Sequence, residues 1–351
     1  MTVHESGHRP PLPPSIRLGG LSFQYRPRAL IVGVVLVVAL VAAIFAALML
    51  GDGVVSPGQL VEVLSGGGRR ADRRLILDLR ANRVLVAALA GAALGVAGAI
   101  MQTVTRNPLA SPDILGITGG ASVGAVAVIA IAGGDLSDKP WATPLGALIG
   151  GIAIAVAIAV FAASMDPMRM VLSGIALGAL CGAVITYILA TVNSDVASTA
   201  FAWMAGSLEG RGPEHIVPVA ITLAVGVIVV VALQRASALL ALGTPRARTL
   251  GVPVAGVERT LLLTSVLLAS MATAATGPIG FIAFVAPQIT VRLARTPSPP
   301  LITSGLTGAV LVLLADLLTR SVIPWTAPIG AVTSVIGAPV LIYFLWKASR
   351  V

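Results

Sequence analysis

Residues 29–50 read ALIVGVVLVVALVAAIFAALML. Coiled as a helix, an uncharged apolar run of this length crosses the roughly 30 Å hydrocarbon layer of a bilayer. Nine further runs follow at about 84–104, 114–132, 142–163, 170–191, 216–234, 258–275, 278–293, 301–319 and 329–346. The seventh and eighth are short, and only the Thr276-Gly277-Pro278 break separates them. The expected fold class is all-α: a polytopic membrane protein with about ten transmembrane helices.

Composition supports that class. Of 351 residues, 57% are apolar and 11% charged, and mean hydropathy is +0.99. A soluble domain carries about 25% charged residues, so a soluble enzyme is excluded. A membrane β-barrel is excluded too, because its strands would alternate apolar and polar residues. Gly supplies 38 residues while aromatics make up only 4%, which suits helices packed closely through small side chains. The GxxxG pairs Gly91/Gly95 and Gly174/Gly178 fit that packing role. The lone Cys181 rules out a disulfide framework and a multi-cysteine metal site. Net charge is +9, but the cations are dispersed among the connections between runs, so membrane topology accounts for them and nucleic acid does not.

Residues 1–28 are polar and Pro-rich and read as a flexible cytoplasmic tail. The run that follows is long enough to span, which argues against a cleaved signal peptide. Ten spans put both termini on one side. With the N-terminus inside, fourteen Lys and Arg fall inside and nine outside, in the sense of the positive-inside rule. Six of the nine sit in one outer loop, 51–83, and such a cluster calls for acidic neighbours or an acidic partner. Asp72 and Asp78 supply part of the balance.

Two connections read as structured. The outer segment 192–215 contains FAWMAGSL and is expected to form a short interfacial helix. In the inner segment 235–257, Gly243 and Gly251 bracket one short helix, with Thr244 as N-cap and Pro245 at the first helical position.

Several chemistries are missing. No GxxxxGK phosphate loop occurs, and the only lysines are Lys139 and Lys347. His4, His8 and His215 fall in connections, and the i,i+4 pair His4/His8 sits in the Pro-rich tail. Among the carboxylates, Glu258 opens the seventh run and only Asp316 lies further inside one, near its outer end and spaced to pair with Arg320. Ion-coupled carriers place ionisable groups at bilayer depth. A solute pathway here is either passive or driven by a partner.

The segment RNPLASPDILG, 106–116, breaks the chain between the second and third runs. It reads either as a tight inner turn or as a re-entrant constriction, since irregular backbone at membrane depth is tolerated only inside protein or beside a water cavity. With this segment the sequence becomes recognisable. The residues concerned are Leu79-Arg80-Ala-Asn-Arg83 before Gly91–Gly98, then Arg106–Asp113, and Trp203-Met-Ala-Gly-Ser-Leu208. Leu242-Gly243 with Leu250-Gly251-Val252, Gly277–Pro287 and Ile336–Val340 complete the set. In this order they resemble the permease subunits of bacterial ABC importers for ferric siderophores, haem and vitamin B12, the FecCD family of type II importers.

The resemblance implies a ten-helix permease domain over 29–351 in the bacterial cytoplasmic membrane. It implies a permease dimer with its pathway at the interface, two ATPase subunits beneath it and a solute-binding protein outside. ATP would be used by the ATPase partner, and this chain would hold no cofactor, no metal and no catalytic residue. The implied cargo is a ferric siderophore, with haem or cobalamin as the alternative.

Matching motif positions imply roles for individual residues. Arg80, Arg83 and Arg320 would engage acidic residues of the binding protein, the alternatives being headgroup contact or pairing with Asp78 and Asp316. Arg69, Arg70, Arg73 and Arg74 read as solvated loop charge. Leu242, Gly243, Arg248, Leu250 and Gly251 would form the ATPase-coupling segment, though Thr244-Pro245 stand where many relatives carry an acidic residue. Asn107 and Leu109 would form a cytoplasmic gate, with Pro167 and Met168 at a second constriction where the B12-type permease has small hydroxyl residues. Gln288 replaces a histidine common among relatives, which keeps hydrogen bonding without titration near neutral pH.

Overall fold

A computed structural model describes residues 15–18, 21–24, 27–51, 53–136, 138–161, 167–321 and 327–348. His4 and His8 lie outside the described residues. Within the N-terminal segment, β1 (Ser15–Leu18) and β2 (Leu21–Gln24) pair antiparallel, Leu18 facing Leu21.

Helices make up the rest: α1 (Pro27–Met49), α2 (Pro57–Leu64), α3 (Arg70–Arg73), α4 (Asn82–Thr105) and α5 (Ile117–Ile131) come first. Next are α6 (Ala142–Phe161), α7 (Pro167–Thr191), α8 (Ser194–Met204), α9 (Pro213–Ala232), α10 (Gln234–Leu240) and α11 (Thr244–Thr249). The series ends with α12 (Val254–Thr276), α13 (Ile282–Ala294), α14 (Leu301–Ser321) and α15 (Ile329–Ala348).

Among the described residues, six helices are long and apolar enough to cross a membrane: α1, the continuous Arg70–Thr105, Leu172–Thr191, α9, α12 and α14. Four apolar helical stretches are shorter: Ile117–Ile131, Ala142–Ile158, Ile282–Ala294 and Ile329–Tyr343. The ten predicted runs all coincide with helices. By length and composition, however, six qualify as spans rather than ten. For α5 and α13 the reason is visible. Each is joined at one end to irregular backbone, residues 106–116 and 277–281, and the helix is correspondingly short.

The segment expected as an outer loop is largely helical. Ser56 caps α2 in a reciprocal capping box with Gln59, and α3 runs through a π-helical stretch, Arg74–Ala81, into α4. A helix lying outside the apolar layer tolerates arginines that hydropathy reads as loop. The short inner helix also differs from expectation. Gly243 with φ 102° is its N-cap, Thr244 is already helical, and a further helix, α10, precedes it. The short helix expected within 192–215 is present as α8, capped by the Asn193 side chain on the Val196 N–H.

Lipid tails are as apolar as leucine, so the helices gain by close backbone approach rather than by hiding from water. The central helix is α4. A Cβ on Gly91 would sit 2.5 Å from the Gly308 carbonyl oxygen, and Cβ atoms on Gly95 and Gly98 would overlap the carbonyls of Ser304 and Ala283. Falling residue numbers on α14 against rising ones on α4 make those two antiparallel. Gly120 and Gly124 meet Gly150 and Gly146 in the same way between α5 and α6. Gly174 and Gly178 of α7 lie against Leu115 and Gly116. By contrast α1 is lipid-like over most of its surface, exposing Leu30, Val34, Val38 and Phe45.

Gly98→Ala forces a methyl group into the Ala283 carbonyl. It is expected to lower stability by about 3 kcal/mol or more, read as a lower melting temperature in detergent and a lower membrane yield. Gly182→Ala, where nothing lies within 4 Å, leaves both unchanged.

Candidate functional site

At one end of the bundle the π-helical stretch, the loop 208–212 and the end of α14 enclose a cavity of about 340 Å³. Its walls carry four arginines: Arg80, Arg83, Arg211 and Arg320. Asp316 of α14 lies beneath them, fully buried. One of its oxygens accepts from the Arg83 Nε and Nη2, both at 2.8 Å. The other faces Arg320 Nη2 at 2.9 Å. The i,i+4 pairing expected from the sequence is present, and Arg83 joins it from another helix.

The three predicted docking arginines are therefore structurally engaged. Arg80 is buried and donates to the carbonyls of Leu48 at 2.9 Å, Met49 at 3.0 Å and Gly53 at 2.6 Å. Arg320 donates to the carbonyls of Ala47 and Leu50 at 3.3 and 3.4 Å. Both guanidinium groups thus satisfy the last carbonyls of α1, where a helix leaves acceptors unfilled and carries partial negative charge. Arg83 keeps 24% of its side chain exposed toward the cavity. Arg69, Arg70, Arg73 and Arg74 are all exposed, as solvated charge would be.

Arg211 completes the wall. Its Nε donates to the Ser207 carbonyl at 3.2 Å, and its Nη1 faces His215 Nε2 at 3.1 Å. A guanidinium can only donate, so that imidazole nitrogen accepts. His215 Nδ1 then lies 3.2 Å from the Glu214 carboxylate. Burial pulls the Arg211 guanidinium below its ordinary pKa, and the Glu214 charge partly opposes the shift.

Two breaks in the helices meet deeper in the bundle. Arg106 ends α4 in a left-handed conformation, φ 52°. Asn107 Oδ1 then accepts the Leu109 N–H at 2.9 Å, so the first proposed gate residue shapes the backbone of the second. Further on, Asp113 accepts from the Thr118 hydroxyl and lies against the Phe281 backbone N–H. Phe281 belongs to the second break, 277–281, and itself takes φ 66°. Gly206, Gly330 and Gly337 allow α8 and α15 to close around that break. Pro167 and Met168 open α7, and their side chains lie outside the described residues.

A buried polar chain joins α4 to α13. Gln288 Nε2 donates to Gln102 Oε1 at 2.7 Å, Gln102 Nε2 donates to the Phe284 carbonyl at 3.2 Å, and Arg292 donates to Gln288 Oε1 at 3.1 Å. The hydrogen-bonding capacity expected of Gln288 is used here. Sequence reasoning missed Gln102, which is simply a polar residue inside an apolar run.

At the opposite end, α10 and α11 dock on the start of α12. Ala247 is fully buried, and its carbonyl accepts the Val252 N–H at 3.0 Å. Leu242 and Leu250 are more than half exposed beside the positive-φ turns at Gly243 and Gly251, and Arg248 is exposed on the same helix. The segment thus presents two apolar side chains and a cation on a rigid base. Among the described residues, no group of three or more His, Cys, Asp or Glu is placed to hold a metal.

The described residues thus form a multi-pass helical bundle with broken helices at its centre. The family model described as the FecCD transport family matches residues 39–347, and the chain belongs to that family. It is 36% identical to the ferric enterobactin transport system permease protein FepG of Escherichia coli over 92% of this chain and 98% of that one. It is 37% identical to the Fe(3+)-citrate import system permease protein YfmE of Bacillus subtilis, over 90% and 95%. It is 34% identical to the iron(3+)-hydroxamate import system permease protein FhuG of Bacillus subtilis, over 92% and 98%. In fold it is similar to a solved ABC transporter described as of metal-chelate type, in an inward-facing conformation. The TM-score is 0.80 at 23% identity, over 90% of this chain and 99% of that one.

Removing the Asp316 carboxylate strands two cations over a buried site. Asp316→Ala is expected to cost about 3–5 kcal/mol, read as a fall in melting temperature. Arg70→Ala, at an exposed position, stays within about 0.5 kcal/mol of the unsubstituted protein.

Proposed function

We propose that this chain is the membrane permease subunit of an ATP-driven ABC importer that carries ferric siderophores across the bacterial cytoplasmic membrane. Membership of the FecCD family carries the reading: the relatives above match nearly end to end and are named for enterobactin, citrate and hydroxamate chelates of iron. None of the three is named for haem or cobalamin. The partners are a second permease subunit, two ATPase subunits and an extracytoplasmic binding protein.

In this reading all ten apolar helices cross the bilayer and both termini are cytoplasmic, with 1–28 as the tail and 29–351 as the permease domain. The shorter α5 and α13 complete their crossings through the irregular segments 106–116 and 277–281. The arginine cavity faces outward. Arg83, the most exposed of its ion-paired arginines, meets a carboxylate of the loaded binding protein, while Arg80 and Arg320 hold the wall it docks on. Leu242 and Leu250 enter a cleft of the ATPase, with Arg248 beside them and Gly243 and Gly251 setting the turns. Asn107 and Leu109, with Pro167 and Met168, close the cytoplasmic end of the pathway.

Transport then proceeds by alternating access. The binding protein docks outside, and ATP binding and hydrolysis in the partner move the coupling segment. The helices lining the dimer interface, α7 among them, open to one side at a time. Iron remains with its chelator throughout, and this chain supplies shape rather than ligands.

A strain lacking this protein tests the reading with labelled iron on catecholate, hydroxamate and citrate carriers, and with labelled haem and cobalamin. Loss of uptake of one ferric chelate, restored by the intact gene, is the expected result. Arg83→Glu restores at most about one tenth of that uptake, because it places like charges across the docking face. Loss of cobalamin or haem uptake alone would overturn the cargo.

A further inference from the structure

Of the four arginines that line the cavity, three are engaged with charged groups or helix ends of the chain itself. Arg80 holds the carbonyls of Leu48, Met49 and Gly53. Arg320 is shared between Asp316 and the last carbonyls of α1. Arg83 places Nε and Nη2 on Asp316. Arg211 differs. Its Nε donates to the Ser207 carbonyl at 3.2 Å and its Nη1 to His215 Nε2 at 3.1 Å, both uncharged acceptors. Among the described residues it makes no ion pair, and its Nη2 has no partner. Glu214 reaches the imidazole, 3.2 Å from Nδ1, rather than the guanidinium.

The surroundings hold this guanidinium in place. The Ser207 N–H is bonded to the Thr276 carbonyl at 2.8 Å, and its hydroxyl accepts the Glu209 N–H at 3.0 Å. Its carbonyl, fixed in this way, is the one that takes Arg211. Leu208 anchors the same loop by burying its side chain. His215 is buried in the first turn of α9. Because its Nε2 accepts, the ring is neutral and carries its proton on Nδ1, the side of Glu214. A charged donor remains on Nη2, and such a donor bonds a carboxylate roughly twice as strongly as a neutral one does. An arginine immobilised before its ligand arrives also loses little side-chain freedom on binding.

Two exposed carboxylates, Asp78 and Glu209, also line the cavity, and among the described residues neither forms an ion pair with these arginines. They repel an anionic lipid headgroup. A protein surface can instead set a carboxylate against Arg211 and cations against Asp78 and Glu209. We propose that Arg211 is a further carboxylate-binding residue of the docking face, with neutral His215 as its positioning residue, and that its ligand is an Asp or Glu side chain of the extracytoplasmic binding protein. The inference rests on the importer reading and deepens it. Asp316 already balances much of the charge on Arg83 and Arg320, whereas Arg211 brings a cation that no carboxylate of the described residues touches.

The test measures the affinity of the complete transporter, in lipid nanodiscs, for the chelate-loaded binding protein that supports its uptake. Arg211→Gln is expected to raise Kd at least about tenfold, as loss of a hydrogen bond between charged groups does, and to flatten the rise of Kd with salt. His215→Leu removes the acceptor and raises Kd about threefold or more. His215→Gln offers an oxygen near the place of Nε2 and stays within about twofold of the unsubstituted transporter, a rescue that a merely structural role would not show. An unchanged Kd in Arg211→Gln overturns the proposal. Should that variant fail to assemble, an unchanged Kd in His215→Leu overturns it equally. A loss in His215→Gln as large as in His215→Leu overturns the positioning role. Weaker binding on adding phosphatidylglycerol, seen in the unsubstituted transporter but not in Arg211→Gln, would give the site to a headgroup and overturn the proposed ligand. Failure of the unsubstituted transporter to bind the protein or move its chelate would instead overturn the importer reading itself.

Discussion

The architecture depends on how closely backbone can approach α4. A bilayer offers no hydrophobic gain for pressing two helices together, so van der Waals contact and hydrogen bonding must hold the bundle. On α4, Gly91, Gly95 and Gly98 leave room for the carbonyls of α14 and α13 to lie directly on the helix. That contact fixes α13 against α4. The break 277–281 can exist only because α13 is held there, with α8 and α15 packed around it.

Where α13 starts, its neighbours must satisfy irregular backbone packed inside the bundle. Asp113 reaches from the first break to Phe281 in the second, and Gln102 reaches the Phe284 carbonyl just inside α13. The two breaks are thus one structural problem with one set of polar side chains. At the arginine end the same logic applies to α1. Its terminal carbonyls are filled by Arg80 and Arg320, and the second of these is anchored with Arg83 on Asp316. The arginines that line this cavity are, underneath, the fastening that holds α1 to the bundle.

Much of this was legible in the sequence. Apolar runs located every long helix to within a few residues, because lipid selects on hydropathy alone over that depth. The pairing of Asp316 with Arg320 was also visible, since i,i+4 spacing is a local property. What escaped was whatever depends on distant backbone. Arg80 bonds to the carbonyls of Leu48 and Met49, and carbonyl oxygens leave no trace in residue identity. The charged stretch 69–83 read as a loop because hydropathy cannot tell an arginine-rich helix from a coil. At the coupling segment Thr244 offered a normal capping side chain, yet Gly243 took the cap, because only a residue free to adopt φ 102° makes that turn. Asn107 and Leu109 were singled out by resemblance alone; the hydrogen bond from the Leu109 N–H to Asn107 Oδ1 is a local turn contact that residue identity does not announce.

The central claim is that this chain carries cargo but derives no driving force from its own chemistry. Asp316 is bound to two arginines at the end of α14, and Asp113, where the two breaks meet, is held by the Thr118 hydroxyl and the Phe281 N–H. The direct measurement is chelate uptake by the reconstituted transporter while the proton and sodium gradients are collapsed and ATP is kept, then with the gradients kept and ATP removed. The account predicts unchanged uptake in the first case and none in the second. Uptake that follows an ion gradient and persists without ATP would contradict it.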